Sequence, residues 1–185
     1  MRVLVMGSSG SGKSTFARRL AAGLGVPHLE QDAVNWRPGW VDLSKTDPTE
    51  LVRLVEPVIA GKAWVTDGNY SALRAMILQR ATHLVWLDYA RPLIMTRVIR
   101  RSFLRAISKD ELWPGTGNRE EFRRWLDRGH PIRWAWDTYH RRKRDYAAML
   151  ADPALARIAR HRLRRPREAA PLIAALVAEG AALPL

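Results

Sequence analysis

The sequence predicts an α/β fold in which a parallel sheet is covered by helices on both faces. Short apolar segments alternate with longer amphipathic segments along the 185 residues, and this alternation is typical of parallel strands joined by helices. A glycine-rich loop, Gly7 to Ser14, separates the first apolar segment from the first amphipathic one. The length fits one domain with a single core, residues 1–185.

The predicted elements follow one another in strand-then-helix order. The apolar run Val3 to Met6 favours a strand, and the run Ser14 to Ala21 has a helical pattern. Pro166 opens a last helix, because proline fits the first turn of a helix. The predicted strands span residues 2–6, 27–30, 63–66, 83–87 and 157–162. The predicted helices span residues 13–23, 48–60, 71–79 and 91–107, with further helices before the last strand.

The loop between the first strand and the first helix has the pattern G-x-x-x-x-G-K-[ST]. Its glycines let the backbone bend tightly and bring several N–H groups to phosphate oxygens. Lys13 is placed to reach the β- and γ-phosphates, Ser14 to offer its hydroxyl to Mg²⁺, and the helix N-terminus to face the anion. We therefore expect a nucleoside triphosphate here. The predicted nucleotide-binding residues of the loop are Gly7, Ser8, Ser9, Gly10, Ser11, Gly12, Lys13, Ser14 and Thr15.

The composition excludes several kinds of site and partner. The chain has no cysteine, which excludes disulfides, a thiol nucleophile and zinc held by thiolates. No apolar run reaches the roughly 20 residues of a membrane span, so a soluble, cytoplasmic protein without membrane contact is expected. The net charge of +13 comes mostly from arginine, which suits phosphate-bearing ligands and a solvated surface. Nucleic acid is the less favoured partner.

Three predicted strands end in aspartate. Asp32 follows the second strand, Asp67 the third and Asp88 the fourth, and the carboxyl ends of parallel strands meet at one edge of the sheet. Phosphoryl transfer needs Mg²⁺ held through carboxylates and a group that orients the attacking hydroxyl. Asp67 is the candidate metal ligand beside Ser14, and Asp32 is the candidate for the group that orients the attacking hydroxyl. Helix capping is the alternative for both, and it is preferred for Asp88.

Arginines of the fourth predicted helix are candidates for contacting the transferred phosphate. Arg97 and Arg101 are four residues apart and share one helix face, whereas Arg100 and Arg105 are expected to face elsewhere. The segment that follows is rich in glycine, proline and charge. We expect it to form a lid or insert, residues 108–145, that excludes water during transfer.

Aromatic and polar residues near the strand ends predict an acceptor pocket. Trp36 and Trp40 flank a turn just after Asp32, where an aromatic wall would stack a planar part of an acceptor. A position in the core is the alternative for each tryptophan. Asn69 and Tyr70, which follow the third strand, are placed in the same pocket.

Together these motifs resemble the small P-loop kinases, the superfamily that includes adenylate kinase and shikimate kinase. The sequence is most similar to the adenylate-kinase-related family of topology modulation proteins. The resemblance implies a three-layer P-loop NTPase fold whose five-stranded parallel sheet has the order 2-3-1-4-5, with a helical lid, ATP as donor and Mg²⁺. The runs that carry it are Asp32–Trp40, Asp67–Tyr70, Leu87–Asp88, Arg91–Pro92 and Arg97–Arg101.

The resemblance also implies roles for single residues. The Asp-Gly pair that ends the third strand resembles the one near the metal of adenylate kinases, and Arg97 and Arg101 resemble the arginine pair that leads into their lid. The run Arg162–Arg167 resembles the loop that lies against the adenine, which implies Arg164 as a nucleotide contact. Adenylate kinases continue their Asp-Gly with Phe-Pro-Arg. This chain has Asn69-Tyr70-Ser71 instead, a departure that puts AMP in doubt as the acceptor.

These observations predict an ATP-dependent kinase that moves the γ-phosphoryl group of ATP to a small acceptor. A nucleoside monophosphate is one candidate acceptor, held near Asp32, Trp36 and Trp40. Catalysis would rest mainly on positioning and electrostatics. The alternative is a nucleotide-binding regulatory protein that associates with nucleic acid and has weak or no ATPase activity. The predicted catalytic residues are Lys13, Asp32, Asp67, Arg97 and Arg101.

Overall fold

A computed structural model describes residues 1–182 of the chain. The strands are β1 (Arg2–Gly7), β2 (His28–Glu30), β3 (Trp36–Arg37), β4 (Val41–Asp42), β5 (Trp64–Asp67), β6 (His83–Leu87) and β7 (Ala159–Leu163). The helices are α1 (Lys13–Leu24), α2 (Gln31–Asn35), α3 (Leu43–Thr46), α4 (Pro48–Ile59), α5 (Ser71–Arg80), α6 (Arg91–Ser108), α7 (Pro131–Ala151) and α8 (Ala169–Ala182). Within these residues, no helix combines the length and apolar character that crossing a bilayer requires.

Five parallel strands form the main sheet, in the spatial order β2-β5-β1-β6-β7. When only these five strands are numbered in chain order, their spatial order is 2-3-1-4-5. The predicted α/β fold class is confirmed. β3 and β4 pair separately as a short antiparallel hairpin that follows β2. Because all strands of the main sheet run in the same direction, the loops after β1, β2 and β5 meet at one edge.

Side chains of the central strand β1 separate two hydrophobic layers. Val3 and Val5 are buried on one face with residues of α1, α6 and α8, and Leu4 and Met6 are buried on the other with residues of α4 and α5. Successive strand residues point to opposite faces, so a strand that is apolar at every position is buried on both sides. Each such side chain contributes roughly 1.5–3 kcal/mol on burial. Because both layers hold β1, they also hold the start of the loop that follows it.

The region between β2 and α4 contains elements that the sequence did not predict. Residues 31–46 form α2, the β3–β4 hairpin and α3. The hairpin turn contains Gly39, with φ +72°, and Trp40, with φ +64°. Elements of two to five residues are too short to show a helical or alternating period, which is why the sequence pattern misses them.

The predicted lid region combines an irregular segment with part of a long helix. α6 ends where Lys109 adopts the left-handed conformation, with φ +53°. Residues 109–130, called the lid segment below, lead to His130, whose side chain caps the start of α7. Residues 131–145 belong to α7, which packs along α6 and continues past the predicted lid. Movement of this region stays a prediction.

Candidate active site

A cleft of about 740 Å³ opens at the carboxyl edge of the sheet. This volume lies in the range typical of small-molecule sites. The cleft is lined by the loop after β1, by α6, by the β3–β4 hairpin, by the lid segment and by the start of α8. It brings most of the predicted site residues together. Those that line it are Ser9, Gly10, Ser11, Gly12, Lys13, Ser14, Thr15, Asp32, Trp36, Trp40, Arg97 and Arg101.

The loop of residues 7–14, called the P-loop below, has a backbone that suits a phosphate group. Gly10 and Gly12 have φ +87° and +89°, the left-handed region that glycine adopts without strain. A Cβ on Gly10 would lie 2.7 Å from the carbonyl oxygen of Ile94, so α6 packs directly against the loop. α1 begins at Lys13 at the edge of the cleft. The first N–H groups of a helix lack partners within it, and an anion satisfies them.

A hydroxyl and a buried carboxylate form the candidate metal site. Ser14 Oγ donates to Asp67 Oδ2 over 2.6 Å, and Asp67 Oδ1 lies 2.8 Å from His28 Nε2. Asp67 is 1% exposed. No three acidic or imidazole side chains in residues 1–182 converge as a metal cage. Mg²⁺ does not need one, because it keeps several waters and takes phosphate oxygens as ligands. The oxygen donors of this pair therefore fit Mg²⁺.

Two more carboxylates lie near Asp67, at the end of β2. Burial, followed by the charges of Asp67 and Asp32, raises the pKa of Glu30. The Tyr70 hydroxyl donates to Asp32 Oδ1 over 2.7 Å. Burial, followed by the charge of Asp32 and this hydrogen bond, raises the pKa of Tyr70, so the phenol stays protonated as a donor. Tyr70 thus orients the Asp32 carboxylate at the cleft wall.

The arginines of α6 contact the P-loop. Arg97 Nη1 donates to the Ser11 carbonyl oxygen and Arg101 Nη2 donates to Ser9 Oγ, each over 3.3 Å. Arg101 Nε is buried without a hydrogen-bond partner in the described chain. Burial, and then the charge of Arg105, lowers the pKa of Arg101. The expectation that Arg105 faces elsewhere is wrong: it lines the cleft, because it lies one helical turn beyond Arg101.

Three tryptophans cluster where the β3–β4 hairpin and the lid segment line the cleft. The rings of Trp36 and Trp113 are nearly parallel, at 15°, with centroids 6.3 Å apart. Trp40 meets both rings edge-on, with centroids 5.8 Å from Trp36 and 6.2 Å from Trp113. The Arg124 guanidinium lies 4.4 Å from the Trp40 ring centroid, a cation–π distance. All three rings line the cleft, so Trp36 and Trp40 are half-buried wall residues and not core.

Asn118 ties the lid segment to the β3–β4 hairpin. Its Oδ1 accepts from the Trp40 N–H over 3.0 Å, and its Nδ2 donates to the Arg37 carbonyl oxygen over 2.9 Å. Asn118 is 2% exposed. A buried amide with both ends bonded is costly to disturb. It therefore fixes the lid segment, and Trp113 within it, against the hairpin.

A buried side-chain hydrogen bond also lies within the lid segment itself. His130 Nε2 is hydrogen-bonded to Glu120 Oε1, and both residues line the cleft. Burial acts to raise the pKa of Glu120, but the hydrogen bond from His130 and the charge of Arg101 outweigh it and lower the pKa. His130 Nδ1 accepts from the N–H of Ile132 at the start of α7. The hydrogen bond between Glu120 and His130 thus links the middle of the lid segment to its C-terminal end.

Some predicted site residues lie outside the cleft lining. Tyr70 lies behind Asp32, and Asn69 Oδ1 accepts from Arg74 Nη2 over 3.2 Å. Arg164 is an exposed residue after β7, and its N–H donates to Glu168 Oε2 over 2.7 Å. The cleft near α8 is lined by apolar side chains, namely those of Pro166, Ala169 and Ile173.

Residues behind the P-loop are buried supports. Gly7 and Ser8 lie below the loop surface and do not line the cleft. Asp88, for which helix capping is the expected role, is buried between Arg162 Nη2, at 2.6 Å, and Lys143 Nζ, at 3.5 Å. This carboxylate therefore pairs with cations and does not cap a helix.

Sequence reasoning missed several residues that line or support the cleft. Glu30 ends β2 and satisfies the same strand-end rule that singled out Asp32. His28 precedes it on the same strand. Trp113, Asn118 and Arg124 lie in a turn-rich segment, where no periodicity indicates which side chains face the cleft. Only the fold brings them to the hairpin.

Comparisons with known proteins agree with this architecture. A gluconokinase from Sinorhizobium meliloti 1021 is similar to the chain with a TM-score of 0.50 and 19% identity, over 96% of this chain and 94% of that one. A shikimate kinase from Acinetobacter baumannii, in complex with shikimate, is similar with a TM-score of 0.59 and 17% identity, over 96% and 93%. A putative kinase from Chloroflexus aurantiacus gives 0.50 and 14%, over 95% and 96%. At these identities the likeness shows the fold: the chain has the P-loop kinase fold.

The sequence itself matches no family model, and no curated protein matches it. The narrower resemblance to adenylate-kinase-related topology modulation proteins therefore stays a prediction. So do the roles that the resemblance implies for single residues.

Proposed function

We propose that the protein is a Mg²⁺-dependent kinase that moves the γ-phosphoryl group of ATP to a small hydroxyl-bearing acceptor. One observation carries the proposal: the P-loop, the Ser14–Asp67 pair and two arginines of α6 converge on a single cleft whose other half holds Asp32 and an aromatic wall. Donor and acceptor would meet there. The kinase names of the structures with this fold support the same class of chemistry.

The donor half provides binding and charge. Lys13 and the N–H groups of the P-loop would bind the β- and γ-phosphates, with the N-terminus of α1 directed at them. Ser14 and Asp67 would hold Mg²⁺, which supplies charge neutralisation on the phosphates when bound. Arg97 and Arg101 lie across the loop from α6, where they would stabilise charge on the transferred group.

The acceptor half provides orientation and a dry site. Asp32 would accept the hydrogen bond of the attacking hydroxyl and take its proton as the bond to phosphorus forms. The Tyr70 hydroxyl holds Asp32 Oδ1 in place for this role. Trp113, Glu120 and Arg124 of the lid segment line the cleft beside the hairpin. Water, a competing acceptor, would be excluded there.

The test is acceptor-dependent release of ADP. The purified chain is incubated with ATP and Mg²⁺ and screened against hydroxylated metabolites and nucleoside monophosphates. Lys13→Ala is expected to abolish transfer and to leave the melting temperature unchanged, because Lys13 lines the cleft and not the core. Lys62→Ala, at an exposed position far from the P-loop in sequence, is the matched control.

Normal turnover by Lys13→Ala would refute the role of the P-loop. The rival function is a regulator that associates with nucleic acid. It is favoured if no compound in the screen stimulates ADP release and the chain instead binds DNA with an affinity that falls steeply with salt.

A further inference from the structure

The outward face of α6 presents an apolar surface to solvent. Four of its large apolar residues, Ile99, Phe103, Leu104 and Ile107, are between 42% and 58% exposed. Phe122 of the lid segment is also half-exposed and meets the Phe103 ring edge-on, with centroids 5.9 Å apart. All five lie outside the cleft lining. We propose that a second copy of this chain docks on this surface, with the two α6 helices packed antiparallel about Phe103.

The order of the apolar residues suits a twofold axis. Ile99 and Ile107 lie four residues before and four residues after Phe103, which is about 6 Å along the helix in either direction. Because residues four apart share a helix face, these three form one stripe, called the α6 stripe below. When two α6 stripes cross antiparallel about Phe103, each Ile99 meets the Ile107 of the other copy. A twofold interface requires a surface that is complementary to itself in this way.

The other faces of α6 are occupied, and the exposed face has little charge. Ile94 and Val98 are buried in the layer beside the P-loop, and Arg97 and Arg101 line the cleft. Within α6, which the structure describes in full, Arg100 is the only charged residue among the exposed positions. Nucleic acids and anionic membranes bind clustered cations, whereas the centre of a protein interface is poor in charge and rich in aromatic residues. The α6 stripe therefore fits a protein surface.

The exposed apolar area matches the apolar part of a dimer interface. A large apolar side chain buries roughly 150–250 Å² in a complete contact, so five that are about half-exposed offer roughly 400–600 Å². An interface of standard size buries about 800 Å² on each partner, of which about 56–65% is apolar. The area on this face is therefore sufficient for a dimer. It also reaches the size that soluble monomers seldom leave exposed without a function.

Docking at the α6 stripe would restrain the lid segment as well as α6. Phe122 contacts Phe103 on one side, and its centroid lies 5.1 Å from that of Trp125 on the other. The second copy would therefore hold both the helix and the segment that follows it from outside the cleft. The proposal does not depend on the reaction in the cleft, and its test measures mass, not turnover.

The test is the mass of the full chain in solution. Sedimentation equilibrium over about 1–100 µM should approach twice the mass of the chain, because interfaces of this size give dissociation constants of about micromolar or lower. Phe103→Glu should weaken dimerisation at least about 100-fold, since both copies lose the aromatic contact and two carboxylates meet at the axis. Trp136→Glu is the matched control, because Trp136 is 54% exposed but lies on α7 and not on the α6 stripe.

Two further variants test the antiparallel arrangement itself. Ile99→Lys and Ile107→Glu should each weaken self-association, because each places a charge against an isoleucine of the other copy. An equimolar mixture of the two variants should dimerise more tightly than either variant alone. In the mixed dimer the two new charges face each other and the two remaining isoleucines meet. Circular dichroism should show native folding of both variants, since both positions are exposed.

Loss of the dimer in Phe103→Glu, together with recovery in the mixture, supports the proposal. A chain that stays monomeric at about 100 µM overturns it, and the α6 stripe is then a site for a different protein. A dimer that Phe103→Glu leaves intact also overturns it, as does a mixture that associates no more tightly than its components. If Phe103→Glu fails to fold, the two isoleucine variants and their mixture decide the question.

Discussion

Replacing Arg101 by methionine is expected to stabilise the ligand-free protein while it greatly slows phosphoryl transfer. The Arg101 guanidinium lies against the P-loop with one hydrogen bond, 3.3 Å to Ser9 Oγ, and its Nε is buried without a partner in the described chain. A buried donor without a partner costs about 1–3 kcal/mol. Methionine keeps much of the aliphatic volume and removes the donor and the charge, so this cost disappears.

The expected shift in melting temperature follows from the size of the chain. For 150–250 residues, 1 kcal/mol moves the melting temperature by about 2–4 °C, so the roughly 1–3 kcal/mol removed in Arg101→Met should raise it by about 2–12 °C. The rise caused by adding Mg²⁺ and an ATP analogue should shrink, because a phosphate contact is lost. Turnover should fall about 10²- to 10³-fold, the effect of removing one donor to a developing charge.

Differential scanning fluorimetry, with and without nucleotide, and a coupled ADP assay measure these quantities. Arg100→Met is the control, because Arg100 is exposed beside Arg101 on the same helix. Its effect should stay within about 0.5 kcal/mol. A lower melting temperature for ligand-free Arg101→Met, with Arg100→Met unchanged, would show that the charge stabilises the empty cleft. The reasoning would then be refuted.

Three other substitutions test separate parts of the cleft. Asp67→Asn should lower activity and raise the Mg²⁺ concentration needed for half-maximal turnover, which a Mg²⁺ titration measures. Gly10→Ala should destabilise the fold more than Gly25→Ala does. Both glycines have positive φ, a conformation that costs alanine about 1–2 kcal/mol. Only at Gly10 would the added Cβ also meet a backbone oxygen, that of Ile94. Glu120→Gln should lower the melting temperature at pH 7 and do so less at pH 4. Because the pKa of Glu120 is lower in the folded protein than in the unfolded chain, its carboxylate stabilises the fold fully at a pH above about 4.3, the pKa in the unfolded chain. This stabilisation is lost as the pH falls through the lower pKa of the folded protein.

The donor half of the cleft is predictable because its determinants are close in sequence. The P-loop is one contiguous run placed between a strand and a helix, and its order alone puts Lys13 and Ser14 at the helix N-terminus. The strand-end rule then brings Asp32 and Asp67 to the same edge. The structure places Asp32 and Ser14 in the cleft lining and Asp67 directly behind Ser14.

The part of the cleft lined by the tryptophans is less predictable because distant segments build it. Asn118 bonds the Arg37 carbonyl oxygen across 81 positions of sequence, and a turn-rich segment has no period that would indicate this contact. The expectation for Arg105 is wrong although the same spacing rule covers it, because Arg105 lies four residues beyond Arg101 on α6 and so shares its helix face. Arg164 was placed by resemblance alone, and the structure leaves its residue exposed outside the cleft lining.

The P-loop and the aromatic wall of the cleft are also held in different ways. The P-loop follows the most central strand and is fixed by both hydrophobic layers. The aromatic wall belongs to a two-residue hairpin and an irregular segment, joined by the Asn118 amide. Substitutions in residues 109–130 can therefore change the aromatic wall without disturbing the P-loop. For the proposed kinase, residues 109–130 and the hairpin, and not the sheet, are therefore the segments expected to select the acceptor.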